Sequence, residues 1–332
     1  LYKKLKGQFM THSGINSQIL DKITEQAITR LKVVFVHNTG HEKEPIGGTA
    51  FWIKTKEGED VLVTNKHNVF PEMKDAKYKG YKVASLSVQL RKKNKGGFDK
   101  ETKFFEIDLE NMEGFVHTSA DVALIFNPTF KDDSTTNNNG CFGYSSILYS
   151  NIADENWIVE TTSMLDAVAF IGYPKSWYDD VWELPIARKA EMASGPKKSF
   201  DKKGITSDVT LVTGLSFGGS SGSPVIILPK GIQAISVKTS SAEGGTENFT
   251  YIPAKVVGIM SGHLDWVVVK AKEDLLTPHS GLSYFTRSST ILEMLEGKNR
   301  EIIENYIILP IKSCEKSISK TKDYPSLLQL ES

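Results

Sequence analysis

The 332-residue chain predicts an all-β fold of antiparallel barrel or sandwich type. Short β-branched and aromatic runs recur along most of its length, tight turn clusters separate them, and helical periodicity is sparse. Asn16-Ser17 offers an N-cap, and Ile19, Ile23 and Ala27 follow at helical spacing, so residues 17–30 are expected to form an amphipathic helix. The period then changes. Val33-Val34-Phe35-Val36, Thr49-Ala50-Phe51-Trp52-Ile53 and Val61-Leu62-Val63-Thr64 read as strands, divided by Glu44-Pro45-Ile46-Gly47-Gly48 and Lys56-Glu57-Gly58-Glu59-Asp60. Further strands are expected over 83–90, 104–107, 122–126, 167–171, 209–212, 225–228, 256–260, 266–269 and 282–285. The polar, aperiodic stretch 131–140 is the expected linker between two groups of strands, and 194–203 and 239–248 read as surface loops. Ile291, Leu292 and Leu295 fit a short helix after Ser288-Ser289, and 311–332 is expected to fray.

Forty basic and forty acidic residues give a formal net charge of zero, which offers no overall attraction to nucleic acid or to an anionic membrane. Two cysteines, Cys141 and Cys314, far apart in sequence, suit a reducing, cytoplasmic location better than a secreted disulfide framework. The basic start Leu1-Tyr2-Lys3-Lys4-Leu5-Lys6 is not followed by the apolar stretch of roughly 7–15 residues that a signal peptide requires. Nor is there an apolar run of about 18 residues to span a bilayer.

The chemistry-bearing segment is Gly218-Gly219-Ser220-Ser221-Gly222-Ser223-Pro224, followed by Val225-Ile226-Ile227-Leu228. A serine in a glycine-flanked tight turn exposes its hydroxyl where nearby backbone N–H groups can meet a developing oxyanion. The competing reading of the heptapeptide alone is a flexible Gly/Ser loop between strands. A serine hydroxyl is a weak nucleophile near neutral pH and needs an imidazole to take its proton and a carboxylate to hold that imidazole. His67 ends the run Val61-Leu62-Val63-Thr64-Asn65-Lys66-His67, and Asp121 opens Asp121-Val122-Ala123-Leu124-Ile125.

Together these segments resemble the trypsin-like serine protease superfamily, in particular its bacterial branch of HtrA-like and glutamyl-endopeptidase-like enzymes, over roughly residues 30–296. Val63-Thr64-Asn65-Lys66-His67-Asn68-Val69, Ala120-Asp121-Val122-Ala123-Leu124 and Gly219-Ser220-Ser221-Gly222-Ser223-Pro224 are similar to that branch's three blocks, in the superfamily's order His, Asp, Ser. The resemblance implies two six-stranded antiparallel β-barrels, at about 31–130 and 141–288, with the active site between them and helices at both ends. The corresponding division is an N-terminal extension and helix (1–30), first barrel and linker (31–140), second barrel and C-terminal helix (141–296) and C-terminal extension (297–332). It implies a serine endopeptidase acting on protein or peptide without a cofactor or metal, with a regulatory protein as a conceivable further partner. Ser221 is then the nucleophile, His67 the general base and then acid, Asp121 the residue fixing the His67 tautomer, and the N–H groups of Gly219 and Ser221 the oxyanion hole. Leu215 falls at the floor of the specificity pocket, Ser216 beside it, and Met260, Ser261, Gly262 and His263 on its wall. An apolar floor offers no partner to a Lys or Arg side chain, so small or medium apolar side chains are the expected preference. Digestive members carry Asp just before the catalytic serine to receive a processed N-terminus, whereas this chain has the neutral Ser220.

Two rival readings are a protease-like binding module without turnover and an α/β-hydrolase esterase with Ser220 as nucleophile and Asp265 and His279 following. The second requires a helix after the elbow, where the sequence reads as strand. His37 and His41 read as solvated loop residues, and Arg91-Lys92-Lys93-Asn94-Lys95 as a charged hairpin tip. Trp177, Tyr178 and Trp182 are expected to cover core rather than line a cleft.

Overall fold

The computed structural model describes residues 26–43, 45–73, 75–95, 97–131, 142–201, 207–231, 251–265, 268–269, 275–276, 279–303 and 307. In the first half the strands are β1 (Ile28–His37), β2 (Ile46–Lys54), β3 (Asp60–Thr64), β4 (Tyr81–Asn94), β5 (Gly97–Glu106), β6 (Glu113–His117), β7 (Ala123–Phe126), β8 (Phe142–Gly143) and β9 (Ile147–Leu148). In the second they are β10 (Ala167–Gly172), β11 (Ile186–Met192), β12 (Val209–Thr213), β13 (Pro224–Ile227), β14 (Lys230–Gly231), β15 (Tyr251–Ile252), β16 (Lys255–Asp265), β17 (Val268–Val269), β18 (Leu275–Leu276), β19 (His279–Arg287) and β20 (Arg300–Ile302). Among the described residues, three short α-helices accompany them, α1 (Lys66–Val69), α2 (Glu155–Thr161) and α3 (Ser288–Leu295).

The central strands of the first half are buried on both faces, which explains their near-continuous apolar runs. In β2, β3 and β7, Trp52, Leu62 and Ile125 point into the sheet's own core with Leu31, Phe35, Val88 and Phe105. Their neighbours Phe51, Ile53, Val61, Val63 and Leu124 point the other way and share a second core with Ile171, Tyr173, Ile226, Val256 and Ile259 of the second half. Helix α3 drives Ile291, Leu292 and Met294 into that same joint.

The second half closes as a six-stranded barrel in the order β10-β11-β12-β19-β16-β13. The first half does not, and the expectation of two six-stranded barrels is corrected here. It is an open ten-stranded sheet in the order β20-β6-β7-β3-β2-β1-β4-β5, with β8 on β4 and β9 on β2. After β5, the Ile107 N–H still reaches the Leu86 carbonyl (2.8 Å), and Ile107 then makes an isolated bridge to Phe130. The outer edge of β6, which closure would require, is occupied by β20 through the pairs Arg300↔His117, Glu301↔Val116 and Ile302↔Phe115. A returning C-terminal strand thus satisfies the edge that a barrel would have turned inward.

Strand β1 starts at Ile28, so the last residues of the expected 17–30 helix are strand, while residues 17–25 lie outside the described residues. So do 132–140 of the linker, both cysteines, the 239–248 loop and the 311–332 tail. The basic run does sit at the tip of the β4–β5 hairpin, where Asn94 pairs with Gly97. Arg91, however, is buried and donates to the Asp99 carbonyl. Of the aromatic trio only Tyr178 packs against core; Trp177 and Trp182 are 55% and 47% exposed, contrary to expectation. Their loop is pinned to the first sheet instead by Glu183, whose carboxylate accepts from Gln89 and Thr102.

The β20 strap predicts a stability change. Ile303 is buried and lies so close to β6 that a Cβ on Gly114 would come within 2.7 Å of it. Ile303→Ala is expected to cost about 3 kcal/mol, read as a lower urea midpoint at unchanged slope; a change below about 0.5 kcal/mol would show that the strap does not pack there.

Candidate active site

Strand β3 ends at Thr64, and the chain turns at Asn65 into the single helical turn α1 that carries His67. Asn65 is fully buried, and its amide donates to the Asp121 carbonyl (2.7 Å) and to Ser261 Oγ (3.0 Å). One side chain therefore ties the histidine turn to the aspartate turn and to barrel strand β16. Asp121 holds His67 at two points. Its Oδ2 lies 2.7 Å from the imidazole Nδ1, and its Oδ1 accepts from the His67 backbone N–H at 3.0 Å. An ionised carboxylate only accepts, so the proton of a neutral ring sits on Nδ1, and Nε2 is left with its lone pair. Beside them, Lys66 is buried and donates to the His117 carbonyl (3.0 Å), and burial lowers its pKa.

The Ser221 loop approaches the first sheet as closely as backbone allows. Gly222 has φ +92°, and a Cβ there would fall 1.7 Å from the Thr49 carbonyl oxygen; Gly219 has φ +88°, with the Tyr173 carbonyl 2.4 Å from a built Cβ. Only glycine fits either position. Thr49 binds the loop from the facing strand β2: its N–H donates to the Ser221 carbonyl (2.9 Å), its hydroxyl to the Gly219 carbonyl (2.7 Å). Within the loop, the Gly218 carbonyl accepts from Lys175 N (2.5 Å) and the Ser220 carbonyl from Ser223 N (3.1 Å). Because C=O and N–H of a trans peptide point in opposite directions, the N–H groups of Gly219 and Ser221 are each aimed away from those partners. Both residues line a cleft of about 320 Å³ at the joint, together with His67, Asn68, Gly218 and Tyr78. Histidine and serine, more than 150 residues apart in sequence, thus open onto one cavity.

The residues expected around a specificity pocket separate into two groups. Leu215 is exposed and Ser216 buried, its N–H donating to Ser283 Oγ at 3.1 Å. His263 stacks on His279 with ring centroids 4.4 Å apart and pairs with Asp265 at 3.1 Å. Burial, and then the neighbouring His263, lower the pKa of His279. Met260 instead lies wholly in the barrel core, and Ser261 is buried against Thr286 (2.8 Å) and Asn65. Gly262 lies opposite Tyr284. Ser220 is buried, its hydroxyl accepting from Phe217 N (3.3 Å), and the following segment is strand β13, not the helix an α/β-hydrolase elbow needs. Sequence reasoning missed Thr49 and Asn65 as site-forming residues and offered His279 only as a member of the rival hydrolase triad. Asn65 was within reach, since a buried amide in a strand-to-helix turn must bond across it.

No protein-family model matches the chain, and no curated protein matches it. Among solved structures it is similar to Rv3671c from M. tuberculosis H37Rv, a Ser-to-Ala mutant in an inactive form (TM-score 0.41, 15% identity, 82% of this chain and 87% of that chain). A second Rv3671c protease structure, also an inactive form, gives TM-score 0.41 and 14% identity over 82% and 89% of the two chains. The apo MamO protease domain from Magnetospirillum magneticum gives 0.39 and 12% over 82% and 97%. The chain is thus structurally similar, at low sequence identity, to proteases of two bacteria.

Proposed function

We propose that the chain is a serine endopeptidase of trypsin-like type, with Ser221 as nucleophile, His67 as general base and then acid, and Asp121 as the residue that orients His67. The observation that carries this reading is the two-point hold of Asp121 on His67 beside a cleft that His67 and Ser221 share. With its proton on Nδ1, the imidazole has Nε2 available to take the Ser221 proton as Oγ attacks the scissile carbonyl. The carbonyl oxygen becomes the oxyanion, stabilised by the N–H groups of Gly219 and Ser221. As the C–N bond breaks, His67 returns the proton to the departing amine, leaving an acyl-enzyme ester. Water, deprotonated by the same imidazole, then releases the acid and restores Ser221. Packing across the joint supplies the alignment that makes this sequence fast.

Ser221→Ala is expected to abolish labelling by a fluorophosphonate probe and to lower kcat/KM on a peptide substrate by on the order of 10⁴-fold or more, with His67→Ala comparable, since triad members act as a unit. Undiminished turnover in Ser221→Ala would remove the reading.

On specificity, Leu215 is an exposed apolar side chain, the Ser216 N–H is bonded to Ser283, and Asp265 at the end of β16 is already paired with His263. A peptide library should therefore show no enrichment for Lys or Arg before the cleaved bond and should favour small or medium apolar side chains; a profile dominated by Arg or Lys would refute this.

Activation should not require a new N-terminus. Ser220 offers no charge to an inserted ammonium, and its hydroxyl and N–H are both bonded to Phe217 within the loop. An ammonium buried beside a neutral hydroxyl would lack its compensating charge. Full-length protein should label with the probe as fast as protein whose N-terminal segment has been removed. Labelling confined to a form with one defined new N-terminus would contradict this.

A further inference from the structure

His117 ends strand β6, four residues before Asp121, and is almost fully buried. Its Nδ1 accepts from the backbone N–H groups of Ala120 (2.8 Å) and Ser119 (3.2 Å). Its own N–H donates to the Val122 carbonyl (2.9 Å), and its carbonyl receives the Lys66 ammonium. The ring thus forms the inside of the turn that presents Asp121, while its backbone carbonyl anchors the residue preceding His67. Two backbone donors aimed at Nδ1 require a lone pair there, so the ring proton must sit on Nε2. That atom is buried without a hydrogen-bond partner among the described residues, facing Glu293 of α3 at 3.8 Å.

We infer that His117 is a positioning residue for Asp121, and that its protonation, by placing a hydrogen on Nδ1 against the Ala120 and Ser119 N–H groups, opens the turn and switches the site off at acid pH. This rests on the reading of Asp121 as the residue that orients His67. Among the described residues, the charged groups acting on the ring are Glu293 on α3, Asp208 ahead of β12 and Lys66 on α1, while Arg300 of β20, paired in register with His117, lies over the Phe115 ring. Burial dominates over the two carboxylates, and Lys66 adds to it, so the His117 pKa lies below the ordinary histidine value of 6.5. The sign follows: the native state disfavours a proton that the unfolded chain accepts, so this contribution to stability is complete above that value and declines as pH falls below it. The cost concentrates on the Asp121 turn, because the donors facing Nδ1 belong to it.

The test compares wild type with His117→Asn and His117→Leu in active-site-titrated protein. Asn places a carbonyl oxygen where Nδ1 stands, keeping the acceptor but not the titration; Leu removes both. Wild-type kcat/KM should fall on its acid limb one proton more steeply than the kcat/KM of His117→Asn. His117→Asn should retain most of the wild-type neutral-pH kcat and show an acid slope shallower by one proton. His117→Leu should lower kcat about tenfold at every pH with KM little changed. Should the Leu variant not fold, the slopes of wild type and His117→Asn decide alone. An acid slope that is the same in those two proteins would overturn the inference. The downfield NMR resonance of the His67 Nδ1 proton, observed without substrate, separates this result from the assignment of Ser221. In wild type it should weaken at acid pH before it does in His117→Asn, even if Ser221→Ala proved still active; its persistence at equal pH in both would likewise overturn the inference.

Discussion

The constraint on which the rest of the structure depends is the dry apolar joint between the open sheet and the closed barrel. Val61, Val63 and Leu124 on one side meet Ile226, Val256 and Ile259 on the other, all essentially without solvent exposure. Each of those strands also faces a second core, so none can rotate to relieve a misfit at the joint without voiding the core behind it. Such packing fixes two chain segments, distant in sequence, against one another, as the proposed two-sided site requires.

Polar threads run through this joint, where exclusion of water raises the weight of each bond, although Asn65 Oδ1 and Ser223 Oγ are buried without a hydrogen-bond partner among the described residues. Thr49 carries three: its hydroxyl donates to the Gly219 carbonyl and accepts from Tyr173 N (3.0 Å), and its N–H reaches the Ser221 carbonyl. Thr64 adds a fourth through the Thr49 carbonyl (2.9 Å), and Asn68 donates to both Thr64 Oγ1 and the Ser221 carbonyl. The loop carrying Ser221 is therefore shaped from the opposite unit as much as from its own barrel. Gly222 is the steric condition for the arrangement, since any side chain there would collide with the Thr49 backbone.

This explains which parts of the molecule were legible in the sequence. The blocks around His67, Asp121 and Ser221 stand out because close approach and buried polar bonding restrict residue type locally: glycine at 219 and 222, Asn at 65, Thr at 64. Strands such as β2 and β13 were plain because double burial makes them uniformly apolar. Strand β11 escaped notice because its solvent face carries Lys189 and Glu191 and even its inward face includes Arg188. Strand β20 escaped because Arg300-Glu301-Ile302 has no strand pattern of its own and forms through a partner almost two hundred residues earlier. The two-barrel expectation failed at that point, since edge pairing is a property of the folded topology, not of a local period. Trp177 and Trp182 misled for a related reason. Their exposure follows from the tether of Glu183 to the β4–β5 hairpin, a long-range contact that aromatic composition does not announce.

The C-terminal return does more than cover an edge. After α3 wedges Ile291, Leu292 and Met294 into the joint, the chain crosses to the first sheet, where the Asn299 carbonyl accepts from Thr118 N at 3.0 Å and Arg300 lies over the Phe115 ring at 4.0 Å. Asn299 also donates to Glu293, the carboxylate that faces His117. The turn presenting Asp121 is thereby held from inside by His117, from one flank by Lys66 and Asn65, and from outside by a segment that belongs to neither the sheet's first half nor the barrel. A rigid-body opening of the two units would have to break α3 from the joint and β20 from β6 together, at the expense of a large buried apolar area. Loops are cheaper to move. The segment between β10 and β11 bonds the Ser221 loop through Lys175 N and grips the first sheet through Glu183, so a change in its order would act on the Gly219 peptide directly while leaving the joint packed.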